Sequence, residues 1–306
     1  MTDDKDFKQV VRDEARRTGR RYTEVRAEKR PAPVSEAMTP DEVADRFSKV
    51  IAAVESRVYG KGDTVRLAAL ALVVPGNVLL AGVPGNGMTA LGQGFAAAIG
   101  GRLVSVDGRT GFDRGETAAW RGDDVVVISH FDGLDPAAQV AVVEAGRRPA
   151  IVLAKRHPIA NRMPFPPDDD TRERFLFGGD LDYGDTETEL RIVNEVRDRD
   201  GDSSSGQAAA IDLRELHAMR AAAAGVDIPA DVRRHAVEAV AATRTDPDIL
   251  LGASAVATLA LVQAAAAAAI TSGRARSTVG DVDDMLEPIL SHRLVYREGH
   301  SPTIRT

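Results

Sequence analysis

The chain has 306 residues, of which 28% are charged and 43% hydrophobic, and carries a formal net charge of −7. That balance describes a globular protein and speaks against a surface given over to nucleic acid. The absence of cysteine excludes disulfides, thiolate metal sites and a cysteine nucleophile. The N-terminus, MTDDKDFKQ, is too charged for a secretion signal, and the longest apolar run, around residues 259–270, is mostly alanine and too short for a membrane span. A cytoplasmic protein with no membrane contact is expected.

Residues 1–37 form a charged N-terminal arm, dense in arginine and closed by RPAPV, which breaks any helix. A solvated arm is one reading. A docking arm for an acidic partner or nucleic acid is the other. The body opens at Thr39-Pro40-Asp41-Glu42, a capping box with proline at the first helical position. A helix of period 3.6 follows, then a second over about 63–73. NVLLA reads as a strand, followed by a glycine-rich loop and a helix ending at Gly100-Gly101. RLVSVD, DDVVVISH and PAIVLAK read as three more strands, with a helix capped by Asp135 between the last two. Continuous apolar strands alternating with helices predict a parallel sheet covered on both faces, here over residues 38–178. Residues 179–206 are acidic and polar and read as a linker. Residues 207–306 read as helices alone, over 211–224, 229–244, 252–273 and 278–291, forming a small helical domain.

The loop GVPGNGMT, Gly82 to Thr89, has the glycines of the phosphate-binding pattern G-x-x-x-x-G-K-[ST], but Met88 stands where the lysine belongs. Between a strand and a helix, backbone N–H groups alone make an anion-binding concavity. A tight strand-to-helix turn with no ligand uses the same glycines.

The wider chain resembles the MoxR branch of the AAA+ ATPases from about Thr39 to Val295. GNVLLAGVPGNGMT is similar to that family's GHVLLEGVPGLGKT, and ATRTDPDILLGAS at 242–254 to ATRxxPxxLLGASPRA. DPAAQVAVVEAG, HPI at 157–159, RERF at 172–175 and the final GDVDDMLEPILSHRLV each resemble a family segment. The resemblance implies a P-loop AAA+ sheet followed by a helical lid. It also implies ATP hydrolysis, ring assembly and chaperone-like work with partners carrying von Willebrand A domains.

The departures from the family pattern fall on its working residues. Met88 replaces the phosphate lysine. Ser129 and His130 stand where the second motif has Asp and Glu, which hold magnesium and activate water. His157 stands at the sensor-1 asparagine, and Val256 at the sensor-2 arginine. Arg174 matches the arginine finger. Thr89 keeps the hydroxyl that would touch magnesium if the ion were bound. No other metal site is expected. Ser129 and His130, as neighbours on a strand, would face opposite ways and form no nucleophile–base pair. One lost transition-state stabiliser is typically worth about 3–4 kcal/mol, and losses within one catalytic unit do not simply add.

The expected protein is therefore a catalytically degenerate MoxR-like subunit of a homo- or hetero-oligomer. Its partners would be an active relative or a von Willebrand A protein, and it would bind ATP or ADP weakly or not at all through Gly82, Pro84, Gly85, Asn86, Gly87, Met88 and Thr89. Two alternatives stand beside it: a working but atypical ATPase, and a scaffold that contacts nucleic acid through the arm. Nucleic acid is not the expected partner.

Overall fold

The computed structural model describes residues 38–159, 163–199 and 208–297. The N-terminal arm and both readings attached to it lie outside the described residues. Helix α1, Pro40–Glu55, opens with the expected capping box, in which Thr39 and Glu42 each accept from the other's backbone N–H. Its Val43, Phe47, Val50 and Val54 are buried along one stripe. Helix α2, Gly62–Val73, leads into β1, Asn77–Ala81. There follow α3 (Met88–Ala98), β2 (Arg102–Asp107), β3 (Asp124–Ser129), α4 (Pro136–Ala145), β4 (Ile151–Arg156), the short α5 (Asp169–Glu173) and β5 (Phe177–Asp180).

The five strands are all parallel, in the order β2-β3-β4-β1-β5. Alternation sends Val78, Leu80, Val125, Val127 and Leu153 into a layer under α1, α2 and α3. Leu79, Val126, Ile128, Val152 and Ala154 face the other way, against α4, Trp120, Phe131 and Phe175. Phe131 and Phe175 meet edge to face, with ring centroids 5.2 Å apart. Gly92 lets α3 lie close on the sheet: a methyl group there would stand 2.2 Å from Val127 Cγ2.

After β5 comes α6, Thr186–Arg199, inside the stretch read from sequence as a linker, and β5 itself runs across residue 178. The C-terminal part holds α7 (Leu213–Ala224), α8 (Ala230–Ala242), α9 (Ala255–Thr271), α10 (Val279–Asp283) and α11 (Leu286–Leu290). It is not purely helical. Residues Ile249–Leu251 and Val295–Tyr296 pair as a small antiparallel ribbon, β6 and β7. The single helix expected over 278–291 is two, α10 and α11, separated by Asp284 and Met285. The alanine run 264–269 of α9 is wholly buried and continues the core of the first layer, because methyl-sized side chains let α1, α8 and α10 pack close around it.

Candidate functional site

At the C-terminal end of β1 the chain turns through Gly82–Gly87 into α3. Gly82 N–H donates to Arg156 O at 3.1 Å, which ties the start of the loop to β4. Gly85 and Gly87 have φ of 86° and 87°, in the left-handed region that favours glycine. Asn86 Nδ2 donates to Leu181 O just past β5 and pins the loop's outer side. Helix α3 has no side-chain cap. Among the described residues, nothing accepts from the backbone N–H groups of Gly85, Asn86, Gly87, Met88 or Thr89. The concavity expected from the pattern is therefore present, with a run of free donors at a helix N-terminus.

Met88 is 4% exposed and belongs to the larger hydrophobic core cluster, packed with apolar side chains. Thr89 is exposed.

A different cation approaches the loop. Lys155, on β4, is 5% exposed. Its stem passes Gly82, where a methyl group would lie 3.6 Å from Lys155 Cδ, and its Nζ donates to Val83 O at 3.2 Å. Burial pulls its pKa below the usual lysine value, with Asp132 and Asp107 opposing that pull and Arg109 adding to it.

Strand β3 stops at Ser129. His130 is not its continuation: it takes φ 56° and ψ 54°, the single non-glycine residue with positive φ among those described. Such a conformation costs about 1–2 kcal/mol. The expectation that Ser129 and His130 face opposite sides of one strand fails at His130, because the chain has already turned into the Phe131–Gly133 bend. The His130 ring goes to Asp107 at the end of β2, with Nδ1 3.2 Å from Oδ1. A carboxylate accepts and cannot donate here, so Nδ1 carries the proton and Nε2 is left free. Asp107 also accepts from Arg109 Nη2 at 2.8 Å and from the Arg109 backbone N–H at 3.0 Å. These bonds hold its carboxyl well below the ordinary range. Asp132, buried at the start of the next turn, accepts the His157 backbone N–H at 2.7 Å, while its Oδ1 has no partner. The His157 ring folds back on its own loop, with Nδ1 3.1 Å from the Ile159 N–H. Asp135 caps α4 as expected, accepting from Ala138 N–H.

The remaining two expected positions are elsewhere. Arg174, after α5, and Val256, in the first turn of α9, line one cleft of about 770 Å³ with Pro75, Asn77 and Glu144. That cleft is at the N-terminal end of β1, the opposite end from the loop. Arg174 is half exposed, 3.9 Å from Glu144, and Val256 is 52% exposed. Neither faces the loop of its own chain. Sequence reasoning missed Lys155 and Asp107. Their signal is a charge closing an apolar strand, in IVLAK and in RLVSVD.

The magnesium that the resemblance implies finds no fit among the described residues. β3 ends without a carboxylate, and among the described residues no three His, Cys, Asp or Glu side chains cluster as ion ligands. A run of free N–H groups at a helix N-terminus is the arrangement that receives anions in proteins generally.

A parallel sheet of order β2-β3-β4-β1-β5, a glycine-rich loop after β1 and a helical lid define the AAA+ fold of P-loop proteins. Residues 241–305 match the AAA lid domain family. A solved structure from Cytophaga hutchinsonii, described as a candidate ATPase, superposes with a TM-score of 0.72 at 19% identity, over 85% of this chain and 90% of that one. Within that class its curated relatives include a MoxR chaperone. The chain is 26% identical to Chaperone MoxR1 of Mycobacterium tuberculosis over 292 residues, covering 81% of this chain and 75% of that protein. It is also 23% identical to Uncharacterized protein YeaC of Bacillus subtilis, covering 81% and 87%.

Proposed function

We propose that this chain is a MoxR-like AAA+ subunit that retains the architecture of a P-loop ATPase without its turnover, and serves as a structural or regulatory member of an oligomeric, chaperone-like assembly. Met88 carries this reading. The side chain that should grip phosphate is packed in the core, and the strand that should end in two carboxylates ends in Ser129 and a turned His130. Phosphoryl transfer relies on positioned positive charge and an oriented nucleophile, and both are depleted at their usual places. Arg174, pointing away from its own loop, is available to a neighbouring subunit, whether a second copy, an active relative or a partner with a von Willebrand A domain. The relatives' descriptions as a chaperone and a candidate ATPase agree with this class.

One observation favours a second reading, an atypical ATPase: the His130–Asp107 pair orients an imidazole with a free Nε2, as a general base requires. Phosphate release from ATP and Mg²⁺ by the purified chain separates the two. The expected result is the rate of the protein-free blank. Turnover abolished by Thr89→Ala would establish the second reading.

A further inference from the structure

Lys155 is harder to explain than Met88. An ammonium taken out of water costs several kcal/mol unless it is paired and hydrogen-bonded. Lys155 is nine-tenths buried on a strand that is apolar over Ile151–Ala154 and ends in Arg156, yet among the described residues it makes one hydrogen bond, to Val83 O. Two of its three donors have no acceptor. Asp132, the nearest-acting carboxylate, does not bond to it and keeps its own Oδ1 unpaired. A brace for the loop would need no charge, since Gly82 N–H and Asn86 already tie the loop to β4 and to Leu181. What the local structure lacks is an anion. The loop offers five free N–H groups, and Lys155 stands at the carbonyl of its Val83 with spare donors.

We propose that Lys155 has taken over, from β4, the phosphate-facing charge that Met88 no longer supplies, so that the loop holds the terminal phosphates of a nucleoside diphosphate as a ligand, with no metal ion. This rests on the reading of the chain as a non-hydrolysing P-loop subunit and gives that loop a use: occupancy, rather than turnover, sets the state of the subunit. The lysine acts as a point charge, a role that does not depend on which strand its stem comes from. The absence of carboxylates at the end of β3 removes the metal's seat without removing the phosphate's.

The test is calorimetric titration of the full chain with ADP in EDTA, with AMP as the comparison. Wild type is expected to bind ADP at least tenfold more tightly than AMP, with no gain from added Mg²⁺. Lys155→Met, close in size and uncharged, is expected to lose that preference while its melting temperature holds. A purely structural lysine would weaken both nucleotides together and leave their ratio intact. If Lys155→Met does not fold, Lys155→Arg against Lys155→Gln gives the same comparison, with the preference expected in Arg alone. The proposal is overturned if wild type binds no ADP at millimolar concentration, if binding requires Mg²⁺, or if the ADP-to-AMP ratio survives loss of the charge. ATP hydrolysis, measured in parallel, would refute the non-hydrolysing reading and leave the ratio to judge Lys155 separately.

Discussion

The Nδ1 of His130 stands 3.2 Å from Oδ1 of Asp107, joining the end of β3 to the end of β2 across the rim where the loop opens. Four nitrogens converge on that carboxylate: His130 Nδ1, Arg109 Nε and Nη2, and the Arg109 backbone. They stabilise its charged form, so its pKa in the folded chain lies below the ordinary 3.8. The sign follows from linkage. A depressed carboxylate contributes stability above its unfolded pKa and loses it as pH falls through that value toward the folded one. The melting temperature is therefore expected to drop between pH 5 and pH 3 more steeply in wild type than in Asp107→Asn. Parallel curves in a circular-dichroism melt series would show that Asp107 is not held this way.

Restoring the missing lysine tests whether Met88 is simply one lost contact. Met88 lies in the core, so Met88→Lys places an ammonium among apolar side chains unless its stem bends out to the loop mouth. The expected cost in a urea melt is several kcal/mol if the ammonium stays buried, and less to the extent that its stem bends out. Phosphate release is expected to stay at the blank, because Ser129 and His130 still supply no carboxylate. Measurable turnover in this variant would mean that the end of β3 is less disabled than its residues imply.

Much of the body is legible in the sequence because local chemistry and tertiary structure agree there. Thr39 and Asp135 cap where their spacing says they cap, and the apolar runs of β1, β3 and β4 are the buried strands. Strand β5 is not legible. Phe177-Gly178-Gly179-Asp180 has the weak propensity of two glycines and is a strand because β1 pairs with it and His292 packs on Gly178, where a methyl group would meet the ring at 2.3 Å. The motif positions were readable residue by residue, but their grouping was not. Lys155 meets the loop 72 residues away, and Asp107 meets His130 at a separation of 23. Arg174 and Val256 share a cleft through the packing of the lid on the body, which no local pattern encodes.

That packing depends on Arg293, and its removal is the most direct test of the lid's attachment. The side chain is 1% exposed. Nη1 donates to Leu176 O at 3.3 Å and to Ile289 O, and Nη2 donates to Glu173 O at 3.3 Å and to Phe175 O. Burial lowers its pKa to about 10, so it stays charged at neutral pH. Glu173 Oε1 lies 3.6 Å from its Nε, too far for a hydrogen bond but close enough for attraction. The guanidinium thus satisfies carbonyls on both sides of the join between β5 and α11. Arg293→Met fills much of the volume but removes the guanidinium donors from those carbonyls, leaving Phe175 O with the His292 ring alone. The expected loss is about 3–5 kcal/mol, because breaking a buried ionic contact from one side leaves its partners uncompensated. Glu173→Gln keeps every carbonyl contact and removes attraction across a partly solvated gap, so its loss is expected to stay below about 1 kcal/mol. The two variants compared in the same urea melt decide the point. Equal losses would place the attachment in the ion pair, whereas a large loss confined to Arg293→Met would place it in the carbonyl contacts.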